Sequence, residues 1–189
     1  MRTMGDKMPD GTQLRLARPV VMVGMMGSGK TAVGSALADM LDVPFRDTDA
    51  AMVDAARMSI PEIFERDGEA FFRARETEVL RRLLSEGPGI LSTGGGAFLR
   101  PENRAAISEA GVSVWLKADA ELLWNRVRHK TTRPLLMTDD PKGTLLRLLD
   151  VRTPHYEKAD LVAEADAAAS IGQMAGRVIT LLAGAEVLR

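Results

Sequence analysis

Pro19-Val20-Val21-Met22-Val23-Gly24-Met25-Met26-Gly27-Ser28-Gly29-Lys30-Thr31 is the stretch that decides how the rest of the chain is read. Four apolar residues between Pro19 and Gly24 suit a short strand buried on both faces. Gly24 to Thr31 fits the pattern G-x-x-x-x-G-K-[S/T] without a mismatch. Val33, Leu37, Met40 and Leu41 then recur at helical spacing, which predicts a helix from Thr31 to Leu41 with these four on one face. Strand, glycine-rich loop and helix in that order make a phosphate cradle. The glycines let backbone N–H groups turn inward around phosphate oxygens. The helix presents its positive end to the same anion. Lys30 is placed to reach β- and γ-phosphates as a point charge, and Thr31 to offer its hydroxyl to Mg²⁺. The expected ligand is Mg·ATP or Mg·GTP.

Outward from this loop, short apolar runs alternate with helical patterns. Phe45 leads a second strand that ends at Asp47-Thr48-Asp49. Ser59, Pro61 and Glu62 predict a capped helix start, with a bend expected near Gly68 and an end at Gly87-Pro88-Gly89. Further strands are expected at Ile90–Thr93, Val112–Leu116 and Leu161–Ala163. Further helices are expected at Pro101–Ala110, Ala120–Val127, from Leu145, and over Ile171–Leu182. This alternation predicts an α/β fold in three layers, α/β/α, around a five-stranded parallel sheet. Residues 1–17 are polar and aperiodic and read as a flexible tail, leaving one domain over 18–189. The polar stretch around 126–141 reads as a flexible lid. His129 and His155 read as surface residues. Trp115, Trp124 and Tyr156 read as packing residues.

Composition closes off other classes. The chain has 189 residues, 25 Lys+Arg against 26 Asp+Glu, two His and no Cys. Near-neutral charge argues against a general nucleic-acid binder. The absence of Cys removes disulfides, thiolate metal sites and Cys nucleophiles. No apolar run approaches the ~20 residues of a membrane span, and the N-terminus lacks the apolar region of a secretory signal. The expectation is a soluble, cytoplasmic monomer with no nucleic-acid or membrane partner.

The phosphate loop does not by itself choose the acceptor. No N-K-x-D sequence occurs, against a guanine-reading switch. The third strand ends in Leu91-Ser92-Thr93-Gly94, without the usual metal-binding Asp. Asp47 and Asp49, two apart on an extended segment, are expected to point into one crevice. One of them would then hold the metal's water shell and the other accept a hydroxyl proton. The competing reading is that one of them merely caps the next helix. Arg73, Arg133 and Arg152 are candidates for bidentate recognition of carboxylate or phosphate. Arg133 stands in the loop expected to close over ATP.

Taken together, these residues resemble the shikimate kinase family, of the nucleoside-monophosphate-kinase-like P-loop class. The resemblance runs through GMMGSGKT at 24–31, FRDTD at 45–49, FRARE at 72–76, TGGG at 93–96, RPLL at 133–136 and RTPHYEKAD at 152–160. It implies a P-loop kinase fold with a flexible lid, and ATP and Mg²⁺ as cofactors. It implies transfer of phosphate to the 3-hydroxyl of shikimate, a step toward chorismate and the aromatic amino acids. By position, the resemblance gives ATP to Gly27, Ser28, Gly29, Lys30, Thr31, Ala32, Arg126 and Arg133. Thr31, and Asp47 through water, take the metal. Asp49, Arg73, Gly94, Gly95, Gly96 and Arg152 take shikimate. Asp49, Lys30 and Arg133 are the catalytic set, and Glu76 positions Arg73. A related kinase, such as one for gluconate, and a nucleotide-binding module without turnover are the alternatives.

Overall fold

The computed structural model describes residues 15–129 and 134–189. Strands and helices alternate as β1 (Val20–Val23), α1 (Lys30–Leu41), β2 (Phe45–Asp47), α2 (Thr48–Ala56) and α3 (Ile60–Ser85). Then follow β3 (Ile90–Ser92), α4 (Pro101–Ala110), β4 (Val112–Lys117), α5 (Ala120–Val127), α6 (Pro141–Tyr156), β5 (Leu161–Glu164) and α7 (Ile171–Gly184). The strands form one sheet in the order β2-β3-β1-β4-β5, and every pairing is parallel. The expected three-layer α/β/α architecture is therefore what the chain adopts.

Burial explains why β1 reads as an unbroken apolar run. Val20 and Met22 face a core shared with Val33 and Leu37 of α1 and with Val178 and Leu182 of α7. Val21 and Val23 face the opposite core, with Leu80 of α3, Ile107 of α4, Leu123 of α5 and Tyr156 of α6. Each of these four strand residues is fully buried. At ~1.5–3 kcal/mol per buried aliphatic side chain, β1 strongly fixes its own place at the centre.

Local chemistry sets the helix starts. Ser59 and Glu62 form the expected capping box on α3, with Ser59 N donating to Glu62 Oε2 at 2.7 Å. The expected bend in α3 is real: Gly68 sits at φ 82°, ψ 171°, outside helical geometry. Asp119 caps α5, Asp140 caps α6, and Ser170 with Gln173 forms a second capping box on α7.

Four expectations need correction. Met40 is 54% exposed, so the buried face of α1 is Val33, Gly34, Leu37, Ala38 and Leu41. The last residues of the stretch read as tail are paired: Leu16 bridges Leu188, and Ala17 N donates to Val187 O at 3.0 Å. Residues 1–14 of that tail lie outside the described residues. The stretch 126–141 is not irregular at either end, since Arg126 and Val127 are helical in α5 and Pro141 opens α6; residues 130–133 lie outside the described residues. Thr48 and Asp49 do not extend β2; they form the first turn of α2, an element that the sequence pattern does not announce.

Candidate active site

Parallel strands put all their C-terminal ends on one edge, where α/β sheets bind ligands. The loop after β1, the end of β2 and the turn after β3 all lie there.

The loop after β1 is shaped as a cradle. Gly24, Gly27 and Gly29 have φ of 139°, 81° and 100°, a region that L side chains rarely adopt. A Cβ on Gly27 would sit 2.6 Å from Val127 Cγ1. Lys30 is buried, and its ammonium donates to the carbonyls of Gly24 (2.8 Å) and Met25 (3.0 Å). Ser28 is 2% exposed, and its hydroxyl has no hydrogen-bond partner among the described residues. An orphaned buried hydroxyl in a loop bent by three positive-φ glycines fits a phosphate ligand. Arg126 Nη1 donates to the carbonyls of Gly27 (3.2 Å) and Ser28 (3.1 Å), so this arginine braces the cradle from α5. Ala32 follows on the exposed side of α1. Arg133 lies outside the described residues.

Beside the cradle, three oxygens converge. Thr31 Oγ1 donates to Asp47 Oδ2 at 3.2 Å and lies 3.2 Å from Ser92 Oγ. Ser92 ends β3, the position at which a metal-binding Asp is usual. Hydroxyl and carboxylate oxygens are the donor set that suits a hard cation such as Mg²⁺. Among the described residues, no cluster of three or more His, Cys, Asp or Glu forms a metal site made by protein alone. A cation here would need the phosphates as ligands too. Ser92 is not legible in the sequence because a lone Ser carries no motif; only the strand register sets it opposite Asp47.

Asp47 caps a helix and faces the nucleotide side at once. Its Oδ1 accepts from the N–H groups of Asp49 (2.9 Å) and Ala50 (3.0 Å), which caps α2. Its other oxygen faces Thr31. Asp49 reaches the crevice through the first helical turn, rather than by alternation on an extended segment.

The triple-glycine turn gathers the remaining candidates. A Cβ on Gly94 would lie 2.9 Å from Asp49 Oδ1 and 3.3 Å from Glu76 Oε1. A Cβ on Gly95 would lie 3.2 Å from Arg152 Nη1, and one on Gly96 2.6 Å from Arg73 Nη1. The glycines thus make room for charged side chains from α2, α3 and α6: Asp49 and Glu76 at Gly94, Arg152 at Gly95 and Arg73 at Gly96. Thr48 Oγ1 accepts from Gly94 N at 3.3 Å, and Tyr156 Oη donates to Gly95 O at 2.6 Å. Arg152 is 7% exposed and lies against Met25 Sδ at 4.0 Å. Arg73 Nη1 donates to Glu76 Oε2 at 2.8 Å, and Glu76 is 1% exposed. The sequence-predicted residues Asp49, Arg73, Arg152 and the three glycines therefore meet in one place. Asp160, the last residue of the RTPHYEKAD stretch, is structural: it accepts from Ser113 N at 2.8 Å and Ser113 Oγ at 2.7 Å.

Burial pushes the Glu76 carboxyl above the ordinary carboxylate range; Arg73 pulls it back down, and Asp49 adds to the rise. A carboxyl raised on folding binds its proton more tightly in the native state. Its stabilising share is full below its unfolded value and is lost as pH rises through the folded value. Thermal melts over a pH series should therefore show Glu76→Gln gaining on the parent as pH rises from about 4.5, the ordinary value for a glutamate. A stability difference that is flat with pH would contradict the burial argument.

Residues 26–183 match the family model described as Shikimate kinase. The chain is 63% identical over 174 residues to a shikimate kinase of Ruegeria pomeroyi, covering 92% of this chain and 89% of that one. It is 58% identical over 185 residues to a shikimate kinase of Cereibacter sphaeroides, covering 97% and 92%. Among solved structures, shikimate kinase from Acinetobacter baumannii in complex with shikimate superposes with a TM-score of 0.85 at 35% identity, covering 89% of this chain and 94% of that one. A match across both the phosphate cradle and the charged triple-glycine turn leaves one assignment: the chain belongs to the shikimate kinase family.

Proposed function

We propose that the chain transfers the γ-phosphoryl group of ATP in line to the 3-hydroxyl of shikimate, with the cradle and the triple-glycine turn holding the two substrates. The kinase activity follows from family membership; the residue roles rest on chemistry and position. The observation that carries them is the placement of two arginines and one aspartate around a turn of three glycines. A planar carboxylate calls for paired guanidinium groups, which Arg73 and Arg152 supply. Asp49 accepts the hydroxyl proton. Backbone N–H groups of the turn position the ring.

On the nucleotide side, the cradle from Gly27 to Ala32 holds the phosphates, with the Ser28 hydroxyl among the donors. Lys30 exchanges its carbonyl partners for phosphate oxygens. Thr31, Asp47 through water, and Ser92 hold the metal, which when bound neutralises phosphate charge. Arg126 keeps the cradle in shape, and Arg133 is assigned to the phosphates by its motif alone. Positioning and electrostatics account for the transfer, and no covalent enzyme intermediate is required. One chain supplies every residue of this assignment, so a monomer suffices. No helix among the described residues is long and apolar enough to cross a membrane.

The test is ADP release from Mg·ATP with shikimate, gluconate or nucleoside monophosphates as acceptor. Stimulation by shikimate alone is expected. Stimulation by a nucleoside monophosphate would reject the carboxylate clamp, stimulation by gluconate would keep a clamp but reject shikimate as its acid, and ATP binding without turnover on any acceptor would leave only a nucleotide-binding module.

A further inference from the structure

We infer that Tyr156 is a positioning residue for the acceptor site: its hydroxyl fastens the triple-glycine turn to the helix that carries Arg152. The inference rests on the proposed acceptor site. By sequence Tyr156 is a packing residue, and the ring does pack. It is fully buried and stacks on Trp115 with ring centroids 6.0 Å apart. That packing fixes the ring and so aims the hydroxyl, which donates to Gly95 O at 2.6 Å. A buried hydroxyl is not needed for packing, and it requires a partner.

Two consequences tie the hydroxyl to the substrate. First, Gly95 C=O and Gly96 N–H belong to one planar trans peptide. Holding the oxygen toward α6 turns the N–H the other way, and among the described residues no acceptor takes it. Second, Arg152 stands four residues before Tyr156, one turn away on the same helix face. Burial pushes the Tyr156 hydroxyl up, and the neighbouring Arg152 guanidinium pulls it back. The hydroxyl thus keeps its proton for Gly95 O, on the same glycine that Arg152 Nη1 lies against, 3.2 Å from where a Cβ would stand. Tyr156 and Arg152 therefore meet the turn at one residue.

Tyr156→Phe keeps the ring and removes the oxygen. The KM for shikimate should rise about tenfold, because the turn is no longer held in place before the acid binds. The KM for ATP should stay within about twofold, and the melting temperature should fall by only a few degrees. Arg152→Lys combined with Tyr156→Phe should cost less than the product of the single effects, because both side chains act at Gly95. An unchanged shikimate KM, a parallel loss for ATP, or multiplicative effects in the double variant would each overturn the inference while the site reading stands. A parent enzyme that does not turn over shikimate would overturn both.

Discussion

Asp49→Asn should bind ATP as the parent does and lose turnover on shikimate by about 10²–10⁴-fold, the usual range for a lost general base. The substitution keeps size and hydrogen-bonding reach, so the acceptor hydroxyl still finds a partner. What disappears is a group that can take its proton. The fold is protected by where the α2 cap lies. Asp47 Oδ1 accepts from the backbone N–H of residue 49, not from its side chain, and Asn leaves that bond intact. Asp47 itself, against Thr31 on the nucleotide side, is untouched. The effect should therefore fall on kcat. A loose transition state, in which the hydroxyl proton leaves late, places the expected loss toward the lower end of the range. Steady-state kinetics with a parallel ATP binding measurement decide the matter. If nucleotide affinity falls as far as turnover does, Asp49 belongs to the metal side and is not the proton acceptor.

Local rules make a sequence legible where one residue type answers one physical need. Gly24 to Thr31 is legible because a tight, inward-facing loop admits few sequences. The bend at Gly68 and the capping box at Ser59 are legible for the same reason. The parallel sheet follows from apolar runs that must be buried on both faces. The missed elements depend on tertiary context. α2 is short and rich in Ala, with no apolar face strong enough to show a period, and its start is fixed by the Asp47 cap rather than by its own residues. Met40 keeps helical spacing with Leu37 and Leu41, yet it falls outside the stripe that α7 and the sheet cover. Leu16 resembles tail in the sequence because its partner, Leu188, is at the other end of the chain. In the site, charge pattern and motif order name Asp49, Arg73 and Arg152. They do not show that each answers a different glycine, nor that Tyr156 bonds Gly95 and Ser92 lies against Thr31. Those are facts of three-dimensional contact between elements far apart in sequence.

Arg152→Ala should raise the KM for shikimate by about 10²-fold, with the KM for ATP unchanged. Arg152 is almost wholly buried between Met25 and Gly95. A carboxylate brought to that place leaves water behind, and the guanidinium fork replaces the lost hydrogen bonds. Removing one partner of such a desolvated pair costs about 2–5 kcal/mol, and each 1.4 kcal/mol is tenfold in affinity. Arg73, still held by Glu76, retains part of the clamp, which places the effect in the lower half of that range. Folding should suffer less than binding. The lost packing against Met25 is offset by release from holding a cation in the interior. Arg152→Lys separates charge from shape: an ammonium restores the charge without the planar fork, so recovery should be partial. The measurement is shikimate KM and kcat for the three enzymes at saturating ATP. An unchanged KM in Arg152→Ala would remove Arg152 from the clamp, and full recovery by Lys would show that charge alone, not bidentate geometry, recognises the acid.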